Sequence, residues 1–214
     1  MYELFYYPNN ASLAPHYVLE EIGAPFVLRL VDRTTNAQKD PDYMQRNPMG
    51  RIPTLVDGEF VLFESAAICL HLADRHPQAR LAPAVGSDAR ARLYQWLMFL
   101  TNTIQPDFMT FYYADQRTTD PRGAPAVKAS AEQRLDAAYR VVDDHLARGG
   151  PYLLGEAISV ADLFLLMVVG WGRAQTNPPW RLANVRRCAE LLLRRPAVQR
   201  AHASEGIEAA PRAG

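Results

Sequence analysis

Cysteine is scarce in this 214-residue sequence. Cys69 and Cys188 stand far apart, with no CxxC and no Cys/His cluster around either. Neither a disulfide framework nor a zinc site is suggested, and two reduced, buried thiols are expected. An excess of either charge is also missing: Lys plus Arg and Asp plus Glu number 23 each. With no net field to draw in a polyanion, nucleic acid and anionic membrane are not expected partners. Long apolar runs are lacking too. The longest strongly apolar stretch, Leu163 to Val169, is far too short to cross a hydrocarbon core of about 30 Å. The opening Met-Tyr-Glu-Leu-Phe has no basic leader, so a cytoplasmic location is expected. What remains is the composition of a folded globular chain, 49% hydrophobic and 21% charged.

The order of elements is more informative. Tyr2 to Tyr7 reads as a first strand ended by Pro8-Asn9-Asn10. Ser12 as N-cap and Pro15 in the first turn predict a helix with Val18, Leu19 and Ile22 on its apolar face, stopped by Gly23 and Pro25. Phe26 to Val31 is a second strand, so the opening is β-α-β with an expected parallel pairing. A polar excursion follows, with a short helix around Asp40 to Arg46. Asp57-Gly58 between two short apolar runs then signals a tight antiparallel hairpin. A helix from Ser65 to about Arg75 completes a βαβ, loop, ββα unit.

After the Pro- and Ala-rich stretch between Pro77 and Ser87 no convincing strand occurs. Helical patterns run from Arg90 to about Tyr113, interrupted by Pro106, and from Ala126 to Arg148. A third runs from a Ser159-to-Asp162 cap through Gly170, and a fourth from Asn184 to Arg195. The expected organisation is an α/β domain over 1–78, an all-helical domain over 87–205 and a loose tail over 206–214.

Three segments then converge on one family. Ser12-Leu-Ala-Pro-His16 after strand one, Asn47-Pro-Met-Gly-Arg-Ile-Pro53 before the hairpin, and Phe63-Glu-Ser-Ala-Ala-Ile68 at the third helix resemble the glutathione-site segments of cytosolic glutathione S-transferases. With the Ser159 to Asp162 cap in the second domain, the resemblance covers nearly the whole chain and is closest to bacterial beta- and theta-like members. It implies a thioredoxin-like first domain, glutathione as co-substrate with no metal, and a two-fold symmetric homodimer.

The resemblance further implies that Pro53 is cis and that the Ile52 backbone pairs with the cysteinyl part of glutathione. Arg51, and Lys39 in the polar excursion, would serve the glycyl carboxylate. Glu64 and Ser65 sit where a helix start leaves N–H groups unpaired, an arrangement suited to the γ-glutamyl carboxylate and ammonium. A thiol of pKa near 8.5 needs a donor aimed at sulfur. Ser12, four residues before His16 as in serine-dependent members, is the expected donor, with Asn10 in reserve. Ala11 stands where the beta-class pattern has cysteine, which removes mixed-disulfide chemistry at that position. Phe108, Phe111, Tyr112 and Trp171, with Tyr7, are expected to wall an apolar acceptor pocket.

The leading expectation is therefore a transferase that directs a glutathione thiolate at small hydrophobic electrophiles. The alternative is a non-catalytic glutathione carrier or stress-response interaction protein on the same scaffold. A disulfide oxidoreductase fits the opening topology but lacks the CxxC its exchange chemistry requires.

Overall fold

The computed structural model of the chain describes residues 1–208. Its strands are β1 (Tyr2–Tyr6), β2 (Phe26–Leu30), β3 (Thr54–Asp57) and β4 (Phe60–Phe63). Its helices are α1 (Leu13–Ile22), α2 (Pro41–Met44), α3 (Ser65–Arg75), α4 (Asp88–Phe99), α5 (Gln105–Tyr112), α6 (Ala124–Gly149), α7 (Val160–Trp171), α8 (Ala183–Leu193) and α9 (Pro196–Glu205). By contact the chain forms two units. One comprises Met1–Ala82 and the segment from Leu193 onward, the other Pro83–Leu192.

The first unit is built on a four-stranded sheet of order β2-β1-β3-β4. β1 and β2 pair in parallel, as a β-α-β opening demands, while β3 runs antiparallel to β1 and β4 folds back antiparallel to β3 as a hairpin. The hairpin turns on Gly58 and Glu59, with Gly58 in the left-handed region at φ 63° and Asp57 still paired to Phe60. Leu4, Leu55, Val18, Leu19, Ile68 and Leu72 are fully buried and form the core between sheet and helices. β4 is one edge of the sheet, and Phe60, Val61 and Phe63 along it are exposed.

The final helix does not group with the other helices of the second half. Pro196 ends α8 and also opens α9, because its missing N–H costs nothing in a first turn. α9 packs on α1. Arg200 Nε donates to Glu20 at 2.6 Å, Arg195 Nη2 donates to Glu21 at 2.7 Å, and Tyr17 Oη and His202 Nε2 lie 2.6 Å apart. The helical domain read over 87–205 is thus shortened at its end by these contacts. Of the tail read over 206–214, Gly206 closes α9 at φ 64, and residues 209–214 lie outside the described residues.

The second unit has no named strand among the described residues, only an isolated bridge between Tyr152 and Gly155. Pro106 divides the first long pattern as its chemistry requires. α4 widens into a π-turn over Leu100–Ile104, and α5 restarts with the proline in its first turn. α7 is buried along nearly its whole length. Its capping box is complete: Asp162 accepts from Ser159 N at 2.8 Å, Ser159 Oγ at 2.7 Å and Leu153 N at 2.7 Å. Burial nevertheless pushes the Asp162 carboxyl up to about 6, against the pull of those donors.

Candidate functional site

Strand register brings the candidate residues of the first unit to one end of its sheet. Tyr6 pairs with Leu30, Phe5 with Thr54, and Thr54 with Phe63. One step beyond these pairs the chain reaches Tyr7 and the β1–α1 loop, Val31 and the polar excursion, Ile52-Pro53, and Glu64-Ser65. Neighbouring strands are about 4.8 Å apart. The sheet order therefore sets out, in sequence, Glu64-Ser65 at β4, Ile52 at β3, the β1–α1 loop, and the excursion carrying Lys39 beyond β2. The carboxyl ends of parallel strands are where open sheets commonly bind ligands.

The Ile52–Pro53 bond is cis. Ile52 is buried, yet neither its N–H nor its C=O has a hydrogen-bond partner among the described residues. A buried residue with both main-chain groups unmet is unusual in a folded interior. It offers a short extended peptide a place to pair. The residues around it hold it firmly. Tyr43 Oη donates to Arg51 O at 2.6 Å and lies 3.0 Å from Thr54 Oγ1. Asn47, 3% exposed, donates from Nδ2 to Arg51 O at 2.8 Å and accepts at Oδ1 from Met49 N at 3.2 Å. Burial raises the pKa of the Tyr43 hydroxyl, keeping it a neutral donor. Tyr43 and Thr54 were not singled out in the sequence, and Asn47 was quoted there only as part of a motif; their role depends on how the loop folds back on itself.

Glu64 carries the backbone irregularity of this end. Its φ of 74° and ψ of 112° lie where a residue with a side chain is strained. The twist lets α3 start abruptly, with Ser65, Ala66 and Ala67 presenting N–H groups that precede the first helical bond, from Ile68 N to Glu64 O. Glu64 is exposed and Ser65 buried, and neither side chain makes a bond within the protein among the described residues. Anion donors and a free carboxylate one residue apart suit the zwitterionic end of an amino acid.

The β1–α1 loop departs from expectation. Ser12 is completely buried, and its hydroxyl turns back along the chain, donating to Tyr7 O at 3.2 Å and accepting from Tyr7 N at 3.3 Å. It is the N-cap residue of α1, but its side chain makes no capping bond. Both bonds of this hydroxyl are to the Tyr7 main chain. The physical reason is the loop's need to satisfy the Tyr7 peptide groups where β1 ends. Asn10 is differently placed. It is half-buried, its Oδ1 accepts from Ala11 N at 2.7 Å, and its Nδ2 remains without a partner among the described residues. Fixing Oδ1 orients the amide, so Nδ2 is a pre-set donor.

Lys39 is exposed, with Nζ donating to Met49 O at 3.1 Å across Gly50. Gly50 admits no side chain: its φ is +57°, and a Cβ would lie 2.8 Å from both Gln38 O and Lys39 Nζ. Arg51 is exposed, and its guanidinium has no partner among the described residues. Tyr7 is half-buried in a small cluster with Val31, Tyr43 and Ile52, under the Arg33 guanidinium 5.8 Å from its ring centre. Within the second unit, Phe108 and Phe111 are core residues, 1% and 3% exposed. Tyr112 is exposed and donates from Oη to Trp171 O at 2.5 Å. Phe108 meets Tyr112 and Trp171 at 6.2 and 5.9 Å between ring centres.

These features define a class first: a βαβ-ββα unit with a cis-proline before its hairpin and a helix that starts directly after it, in one chain with a helical unit. Family models then agree segment by segment. The glutathione S-transferase N-terminal domain matches residues 2–74, and the C-terminal domain matches residues 125–200. The chain is 30% identical to glutathione S-transferase GstA of Escherichia coli O157:H7 over 209 residues, 96% of this chain and 100% of that one. A glutathione transferase structure from Methylococcus capsulatus superposes with a TM-score of 0.86 at 35% identity, covering 97% and 100% of the two chains. A sphingomonad glutathione S-transferase complexed with glutathione gives 0.84 at 32% identity, covering 96% and 100%. The chain belongs to the glutathione S-transferase family and is a transferase of that class.

Proposed function

We propose that the chain binds reduced glutathione across the end of its sheet and transfers the thiolate to an electrophilic carbon of a small hydrophobic acceptor. The carrying observation is the main chain of Ile52, whose N–H and C=O have no partner among the described residues, one strand from the Glu64-Ser65 helix start. Glutathione supplies complementary groups in the same order. Its γ-glutamyl ammonium meets Glu64 and its carboxylate the Ser65 hydroxyl and the free N–H groups of α3. Its cysteinyl backbone pairs with Ile52, and its glycyl carboxylate lies toward Arg51 and Lys39. An extended tripeptide spans at most about 11 Å, a little over two strand spacings, which reaches from β4 to the β1 loop.

Asn10 takes the role of thiolate donor in this reading. A two-unit fall in the thiol pKa requires about 2.7 kcal/mol. A hydrogen bond to a charged sulfur contributes roughly 1.5–3 kcal/mol, and the start of α1 adds roughly 0.3–1 kcal/mol. The two together suffice. The thiol proton leaves to solvent, the sulfur lone pair forms the new C–S bond, and the electron pair of the broken bond departs with the leaving group or onto the unsaturated acceptor.

The transferase works as a homodimer in this reading, supported by the exposed Phe60, Val61 and Phe63 on the edge strand, and in the cytoplasm, in keeping with the absence of any described helix long and apolar enough to cross a membrane. Calorimetric titration of reduced glutathione tests the site. Micromolar to low-millimolar binding is expected, abolished by Glu64→Ala and largely retained in Asn10→Ala, which instead slows turnover of an aromatic halide. Absence of binding by the unmodified protein rules the reading out.

A further inference from the structure

We infer that Glu205, at the end of α9, is a positioning residue for the thiol-activating loop, an inference that rests on the transferase reading above. Its carboxylate is wholly buried, and both oxygens are used. Oε1 lies 2.7 Å from His16 Nδ1, and Oε2 accepts from Asn9 N at 2.9 Å. Asn9 stands at φ 54°, and the amide so held is the one immediately before Asn10.

Nothing about α9 itself calls for an acid there. A carboxylate in the last turn of a helix faces the negative end of the dipole, and a buried one gives up its hydration. Helix docking does not require it either: Arg195 with Glu21 and Arg200 with Glu20 already tie α9 to α1. A residue placed against both local preferences, and bonded to a loop 196 positions away in sequence, marks a functional constraint. The carboxylate fixes the Asn9 peptide. The neighbouring Asn10 Oδ1 to Ala11 N bond at 2.7 Å then leaves Nδ2 pointing in one direction. His16, itself fully buried, completes the clamp from α1, with Nε2 4.0 Å from Glu20 Oε1. Glu205 touches no reacting atom in this scheme and acts through Asn10.

The test compares Glu205→Gln, Glu205→Leu and, as a control on α9 docking, Arg200→Ala. The measurements are glutathione affinity, the pH profile of kcat/KM with chlorodinitrobenzene, and the amide exchange rate of Asn9. Glu205→Leu is expected to raise the apparent thiol pKa by about one unit, a roughly ten-fold loss of kcat/KM below that pKa. Glutathione affinity should stay within about three-fold, and Asn9 exchange should accelerate. Glu205→Gln, which retains one acceptor oxygen, should recover part of the shift, while Arg200→Ala should lower stability without moving the profile. If Glu205→Leu does not fold, Glu205→Gln decides alone. An unchanged profile and unchanged Asn9 exchange in a folded variant overturn the inference while leaving the transferase reading intact. An unmodified protein that neither binds nor turns over glutathione overturns both.

Discussion

Ser12→Ala separates two accounts of how sulfur is activated. With its hydroxyl bonded at 3.2 and 3.3 Å to both main-chain groups of Tyr7, Ser12 is a fastener for the end of β1. Both bonds are long, so each contributes toward the lower end of the roughly 0.5–1.5 kcal/mol usual for a neutral bond. Removing the hydroxyl also strands a buried donor and acceptor. The expected cost is about 1–2 kcal/mol, or a fall in Tm of roughly 2–8 °C for a chain of this size. Bound glutathione should keep its thiol pKa to within about 0.3 units. Thermal unfolding monitored by circular dichroism, with an ultraviolet titration of the bound thiolate, reads both quantities on one sample. A rise in thiol pKa of about one unit or more with an unshifted Tm would refute this reasoning and restore the hydroxyl as donor.

Glu64→Gly should relieve a left-handed backbone worth about 1–3 kcal/mol and raise Tm while glutathione affinity collapses; calorimetry showing retained affinity would remove the carboxylate from the site. Gly50→Ala is expected to destabilise the protein by about 1–3 kcal/mol, since strain at φ +57° is compounded by a clash with Gln38 O and Lys39, and denaturant unfolding measures it. Asp162→Ala leaves three donors without an acceptor and should cost about 3–5 kcal/mol. Asp162 also gives stability a sign with pH. Its folded pKa of about 6 lies above its unfolded value, so the folded state holds the proton longer. Its contribution is therefore largest below the unfolded pKa and is lost as pH rises through about 6. Asp162→Asn should flatten that slope, which urea midpoints across acidic to neutral pH would show.

The sequence carries the sheet and helices wherever a local rule decides them. Proline placed the break at Pro106, Asp57-Gly58 placed the hairpin, and Ser159 with Asp162 placed the start of α7. Glu64, Ser65, Ile52 and Pro53 were visible because each lies within a short segment at a strand end, which strand pairing then aligns. Ser12 was read as the thiol donor from its spacing to His16, which says nothing of which way a hydroxyl turns; in the structure it bonds to the peptide groups of Tyr7. Glu205 left no local trace at all. An acid at the end of a helix reads as solvated surface, and only the packing of α9 on α1 buries it. The fourth helical pattern was read only as far as Arg195, which hid the helix that Pro196 opens.

That packing has a consequence for synthesis. The unit that begins at Met1 takes in the segment from Leu193 onward, so the part encoded first is completed last. A chain growing from a ribosome at about 5–20 residues per second can bury the helical unit while α1 still lacks its partner. Until α9 emerges, the face of α1 bearing His16, Tyr17, Glu20 and Glu21 stands open to solvent and to chaperones. Chains cut short before Glu205 should for this reason be targets for degradation even with every strand and every residue proposed to contact glutathione already made.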